Sequence, residues 1–184
     1  VEYRILLNED SFHRLDTLRR DTVSHTSLHE NWRTESIGSP QWQVIQMSAV
    51  NPGLSFFCPN LALLADEKMV LKNIIFIPEG KTMLTFTSRI QSEYRWDGGV
   101  VEASADNGSS WFDLGPFMKK IGYTEKLNIG LNPLSGRRAF TGHQQNADTI
   151  HVDLSDFAGD SLLIRFRFGS DASLGSFGWL VDDI

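Results

Sequence analysis

The residues of this chain that could do chemistry are, first, carboxylates. Asp182-Asp183 stand side by side near the C-terminal end, Asp97 precedes Gly98-Gly99, and Glu30 lies just ahead of Trp32. A calcium ion wants roughly six to eight oxygens, mostly carboxylate and backbone carbonyl. The glycines after Asp97 let the backbone approach a ligand closely. In a strand, neighbouring residues point to opposite faces, so at most one of Asp182 and Asp183 enters a core. A carboxylate buried there must be paired or metal-bound, because an isolated buried charge is costly. Two readings follow. In one, some of Glu30, Asp97, Asp182 and Asp183 hold a structural Ca²⁺. In the other, Asp97 and one of the pair accept bonds from turn amides, or from Arg95 and Arg137.

The second group is aromatic. Tyr94, Trp96 and Tyr123 are the rings expected to reach the surface and could form a platform for a sugar, while Trp111 and Trp179 are expected in the core. Arg137 carries a planar fork suited to two bonds. It either ties its loop to a carboxylate or to carbonyls, or meets a ligand. Arg165 and Arg167 share a strand face expected to look into solvent or, as the alternative, into a ligand groove. The five histidines, His13, His25, His29, His143 and His151, have no H-E-x-x-H spacing, which argues against zinc. No G-x-S-x-G elbow frames a nucleophile. Cys58 is the one cysteine, so no intrachain disulfide and no thiolate metal site can form; it is expected to be a small buried apolar residue.

Bulk composition narrows the classes. With 184 residues, 41% apolar and 22% charged, the chain is one ordinary globular domain with enough length for a sizeable core. The formal net charge of −6 and pI near 5.3 argue against nucleic acid or an anionic membrane as main partner. No apolar run approaches the ~18 residues of a membrane span, and no signal peptide is recognisable. Both ends are expected to continue into a longer polypeptide.

The elements that must position these residues read as β throughout. Residues 1–28 stand apart: a strand-like start and a short amphipathic stretch make a linker or the tail of a preceding domain. From Trp32 on, short strands are expected at Trp42–Met47, Leu54–Phe57, Lys68–Ile77, Thr82–Ile90, Ile150–Leu154, Leu162–Phe168 and Trp179–Ile184, punctuated by Gly/Pro/Asn turns. Trp96 to Trp111 reads as a strand, a two-residue turn at Asn107-Gly108 and the start of a return strand. Ser104, Asp106, Asn107, Gly108 and Trp111 fit the Asp-box pattern, in which the Asp caps turn amides and the Trp packs under the hairpin. Asn107-Gly-Ser also fits a glycosylation acceptor, which the turn already explains. Residues 117–148 form a long polar connection of the kind that usually has a job or a ligand. Eight or nine strands without a convincing helix predict an all-β, two-sheet antiparallel sandwich. No period of 40 to 50 residues repeats, so the single Asp box does not imply a propeller.

Three blocks also carry a family resemblance. Trp96-Asp-Gly-Gly-Val-Val-Glu-Ala-Ser-Ala-Asp-Asn-Gly-Ser-Ser-Trp111 is similar to the D-G-G-V-x-E-x-S-x-D-G-G-x-x-W signature of MAM-like jelly-roll domains of bacterial secreted proteins. Such domains accompany immune inhibitor A and fungalysin-type metallopeptidases, subtilases and adhesins. Asn132-Pro-Leu-Ser-Gly136-Arg137-Arg-Ala139-Phe140-Thr-Gly142 resembles the second block. His151 to Gly159, Leu162 to Phe168 and Gly178 to Ile184 resemble the third. The likeness covers about residues 30–184; residues 1–28 do not share it, and the family's last strand normally runs past the Asp pair.

The resemblance implies a jelly-roll (concanavalin- or galactose-binding-like) sandwich over residues 29–184, without a catalytic centre. It would be an accessory or adhesion module of a secreted or cell-surface bacterial protein, with adjacent domains of its own polypeptide as partners and a glycan or protein surface as a further one. Related jelly rolls hold a structural Ca²⁺ between the start of the first strand and acidic residues of the last. A carbohydrate-binding module is the alternative. A sialidase-like hydrolase is the third reading, but it wants repeated Asp boxes and an acidic-arginine cluster, and the sequence shows neither.

Overall fold

The structure, a computed structural model, describes residues 19–38, 41–46 and 53–184. The strand and most of the amphipathic stretch expected before residue 20, together with Met47 and most of the Asn51–Gly53 turn, lie outside the described residues. A four-residue helix α1 (Ser27–Glu30) leads into β1 (Trp32–Ile37), β2 (Gln43–Gln46), β3 (Leu54–Asn60), β4 (Ala65–Leu71), β5 (Ile75–Phe76), β6 (Met83–Gln91) and β7 (Gly98–Ser104). The second half contributes β8 (Phe112–Asp113), β9 (Met118–Lys119), β10 (Glu125–Lys126), β11 (Arg138–Ala139), β12 (Asp148–Asp153), β13 (Ser161–Ser170) and β14 (Ser176–Asp182).

Two six-stranded antiparallel sheets form a β-sandwich. One has the order β1-β4-β13-β7-β8, with β5 beside β13; the other runs β2-β3-β14-β6-β12-β9. The chain passes from one sheet to the other at β1 to β2, β3 to β4, β5 to β6, β6 to β7, β8 to β9, β12 to β13 and β13 to β14, the wrapping expected of a jelly roll. β10 and β11 make a separate two-stranded ribbon.

Period-two patterning builds the core. Leu162, Ile164, Phe166 and Phe168 of β13 and Ile150 and Val152 of β12 all point inward and are buried. Rings bridge the sheets: Phe166 meets Phe86 edge-on at 5.1 Å and Trp179 at 5.9 Å, and Trp32 meets Phe56 at 5.8 Å. Trp179 donates its indole N–H to Ser88 Oγ and lies flat over Gly99, where an added Cβ would come within 2.4 Å of the ring. That close approach requires glycine. Cys58 is buried and unpaired, and burial pushes its thiol well up.

The expected run Lys68–Ile77 is two strands, interrupted at residues 72–74. The two-residue hairpin is also corrected. Asn107 and Gly108 both take positive φ, 58° and 91°, but strand pairing with β7 resumes only at Ala103↔Phe112. The connection is therefore a loop over 105–111. Residues 19–28, read on sequence as part of a linker or the tail of a preceding domain, contribute Leu28 and Val23 to the core. Asp21 bonds across the sandwich to the backbone of Ile184.

Candidate functional site

All seven residues of β7 are buried. One face, with Val101 and Ala103, lies in the main core; the other, with Val100, lies under Leu127, Leu134 and Ala139. The long connection thus has a structural job: it covers the outer face of the first sheet. Its Asn132 is the pin, donating to the carbonyls of Trp96 and Gly169 and accepting from the amide of Leu134.

Arg137 comes from the same connection and is fully committed there. It donates to Glu102 Oε1 at 2.6 Å and Asp113 Oδ2 at 2.9 Å. Arg165 takes the other oxygen of Glu102 at 2.6 Å. Arg167 grips Asp66 with two bonds of 2.7 and 3.0 Å, and Lys68 joins at 2.8 Å. Burial opposes the charge on Asp66, but these donors hold its carboxyl below the usual range. Arg165 and Arg167 therefore do not look into solvent. Strand register brings the carboxylates within reach, since Arg165 stands opposite Glu102 of β7 and Arg167 opposite Lys68 of β4, two residues from Asp66; a buried guanidinium must be paired. Arg165 also lies 4.0 Å over the ring of Trp111, which puts Trp111 at the rim, half-buried, instead of in the core.

The 104–111 loop closes on itself. Ser104 Oγ donates to Asp106 Oδ1 and accepts from the amide of Gly108. Asp106 accepts from both the amide and the hydroxyl of Ser110, and bonds led by that hydroxyl hold its carboxyl down to about 2. The indole of Trp111 donates to the Gly108 carbonyl. Every one of these contacts is internal to the loop.

The four carboxylates expected at calcium do not meet. Asn60 bonds Asp97 and pairs with Ser176 at the start of β14, whereas Asp182 ends that strand, about 20 Å away at ~3.3 Å per residue. Asp182 accepts from Ser55 Oγ and the amide of Asp183. Asp183 is exposed and 3.6 Å from Arg20, and Glu30 is exposed on α1. Among the described residues, no group of three or more His, Cys, Asp or Glu is placed to hold a metal ion. Asp97 is the exceptional member. It is fully buried and accepts from Asn60 Nδ2 and the amide of Asp171, both at 2.8 Å. Burial first, then the charges of Asp171 and Glu93, push its carboxyl up to about 6. Asn60 Oδ1 and Glu93 Oε2 have no partner.

Of the three expected surface rings, two reach solvent. Tyr94 is 59% and Trp96 36% exposed. The ring of Tyr94 rests on Gly142 and that of Trp96 on Gly130, so each is backed by backbone. Between them Arg95 adopts φ 64°, anchored by its amide to Thr141 Oγ1 and its Nε to the Lys126 carbonyl. Tyr123 is a correction. Its ring packs edge-on against Phe140 at 5.0 Å, and its hydroxyl joins Val101 and Asp113. Burial, reinforced by the Asp113 charge, raises that phenol well above its ordinary value.

The sequence reading missed what surrounds Tyr94 and Trp96. The β1–β2, β3–β4, β6–β7 and β13–β14 connections leave the same end of the sandwich, since Ile37 pairs with Asp66, Ser170 with Ala65, Gly169 with Gly98 and Ser176 with Asn60. Among the described residues, ten of the thirteen exposed large apolar side chains project there: Ile37, then Leu61, Leu63 and Leu64, then Tyr94 and Trp96, then Ile129 and Leu131, then Leu174 and Phe177. The available signal was apolar side chains in segments rich in turn residues, such as Ile129-Gly-Leu131 and Leu174-Gly175.

No protein-family model matches the chain, and no curated protein matches it. Among solved structures, it is similar to the Endo-D glycoside hydrolase domain of Streptococcus pneumoniae R6, with a TM-score of 0.46 and 13% identity over 83% of this chain and 21% of that one. It is also similar to the K1 cleaved adhesin domain of Lys-gingipain from Porphyromonas gingivalis W83, with a TM-score of 0.48 and 15% identity over 90% and 94% of the two chains. The chain spans about a fifth of the first of these.

Proposed function

We propose that the chain is a non-catalytic accessory or adhesion module of a secreted or surface-attached bacterial protein, of the MAM-like kind its motifs resemble. The observation that carries the reading is the apolar loop end. Monomeric soluble domains rarely gather exposed apolar side chains into one patch unless it meets a partner. The charged side chains on the outer face of the first sheet are spent on each other, which leaves that face little to offer a partner. The partners are adjacent domains of its own polypeptide, and a protein or glycan surface.

The test is attachment. A fluorescent fusion is expected to label wells coated with mucin or matrix protein. A variant carrying Ile129→Ser, Leu131→Ser and Leu174→Ser should label them about tenfold more weakly, the loss of a few buried apolar anchors. Equal labelling removes the loop end from the reading. Turnover of generic esters, peptides or glycosides by the purified domain removes the non-catalytic reading.

A second reading, a carbohydrate-binding module, is favoured by one observation: Tyr94 and Trp96 each have one ring face backed by a glycine. Saturable binding on a glycan array, abolished by Trp96→Ala, would select it. A structural Ca²⁺ belongs to either reading. Asp97 is a fully buried carboxylate beside two oxygens that lack partners. Calcium added to EDTA-treated protein is expected to release heat and raise the melting temperature of the wild type but not of Asp97→Asn. No heat and no shift would remove the ion.

A further inference from the structure

A recess of about 340 Å³ opens on the solvent side of the second sheet, lined by Lys81, Met83, Lys119, Lys120, His151 and Asp153. Register explains its contents. Ile150 and Val152 of β12 face the core, so His151 and Asp153 face out. His151 stands opposite Lys119 of β9, and Asp153 opposite Met83 of β6. Lys81 enters from the residues before β6, and Lys120 from the turn after β9.

The charges do not cancel. Asp153 is held below the usual carboxylate range by the hydroxyl and amide of Ser155, with Lys119 adding to both. It therefore stays ionised and neutralises Lys119, 3.6 Å away. Lys81 and Lys120 form no ion pair among the described residues. In a chain of net charge −6, this excess is a local arrangement. The backbone gives an independent sign. Lys120 sits at φ 62°, a region that non-glycine residues enter at a cost and that gathers at functional sites. The amide of Ile121 closes the turn on the Lys119 carbonyl at 2.7 Å.

We propose that this recess binds the anionic group of an acidic polysaccharide, a sulfate or a uronate carboxylate. Lys81 and Lys120 supply the charge, and Met83 supplies an apolar wall for the sugar ring. Lysine acts as a point charge indifferent to the shape of the anion, so both groups share one chemistry. The volume suits one or two sugar units, and no Phe, Tyr or Trp ring lines the recess to stack a nucleobase. The proposal names a ligand for the adhesion reading and rests on it, but its residues are not those of the apolar loops.

The experiment is fluorescence anisotropy with three labelled hexasaccharides: heparin-derived, hyaluronan-derived and neutral chitin-derived. The wild type is expected to bind one or both anionic probes and not the neutral one. Binding should weaken as NaCl rises from about 50 to about 300 mM, as screening requires. Binding of the heparin probe alone assigns sulfate, and of the hyaluronan probe alone, carboxylate. Lys81→Ala with Lys120→Ala should cost about tenfold or more in affinity. Lys120→Gly should weaken binding while the melting temperature holds or rises, because glycine tolerates the left-handed backbone. Equal binding of the neutral probe, unchanged binding by the double variant, or equal binding of a DNA oligomer overturns the proposal. Loss of the triple loop variant's attachment with these affinities intact would separate the two ideas.

Discussion

Asp97 shows how burial acts on one residue. Its carboxyl titrates near 6 in the folded state, against about 3.9 when unfolded. Between about pH 4 and 6 the native protein holds a proton that the unfolded chain has lost, so stability falls as pH rises through that window. The deficit is complete above pH 6 and amounts to roughly 3 kcal/mol. In EDTA, Asp97→Asn is expected to be more stable than the wild type by about 1–3 kcal/mol near pH 7.5, with the gain vanishing near pH 4. The Asn60 amide can turn to offer the new side chain its unpartnered oxygen. Urea melts at the two pH values check this; a variant less stable at both would show that the ionised form is not the penalised one. At Gly99 the effect is steric. Gly99→Ala would drive a methyl into the Trp179 ring and should cost about 2–3 kcal/mol, read as a fall in urea midpoint.

At the scale of elements, β7 and the 127–139 connection depend on one another. Glu102 is the shared acceptor of Arg137 and Arg165. Glu102→Ala leaves Arg165 buried without its partner and should cost about 3–5 kcal/mol. Arg137→Met removes a donor that is 28% exposed and leaves the Glu102–Arg165 pair intact, so about 1–2 kcal/mol is expected. The order of the two urea midpoints is the check: equal losses would mean that water already solvates the site. Proteolysis of the connection should also speed up in Glu102→Ala and hardly at all in Arg137→Met. Arg165 and Arg167 look like an exposed strand face in the sequence because period two only separates faces. It does not say that another segment will cover the second one.

At the scale of the molecule, the N-terminal segment ties the two sheets together. Asp21 donates its amide to the Ile184 carbonyl, and its carboxylate accepts from Asn31 and the Trp32 indole. Trp32 begins the first sheet, and Ile184 follows the strand at the middle of the second. Asp21→Ala would leave a buried indole N–H without an acceptor and should cost about 1–3 kcal/mol. Differential scanning calorimetry checks it. A single transition at lower temperature is expected; an unchanged one would mean that this clasp is replaced by water.

The longer strands β2, β3, β6, β7, β12, β13 and β14, the inward faces of β12 and β13, and the buried Cys58 and Trp179 were legible in the sequence, whereas the two-residue strands β9, β10 and β11 were not. The legible features follow from local rules, alternation and turn chemistry, that a chain obeys before it folds. The capped loop at Ser104–Trp111 was legible for the same reason, since its bonds span at most four residues, although its length was not. What only the tertiary structure decided are the properties set by partners far along the chain. Arg137 became a structural tie, and Tyr123 a buried one, because Glu102, Asp113 and Val101 reach them across sheet pairing. The four carboxylates scattered because opposite ends of a strand are far apart however alike their side chains. The apolar loop end and the lysine recess arise where connections from distant segments emerge together, and no sequence window contains them.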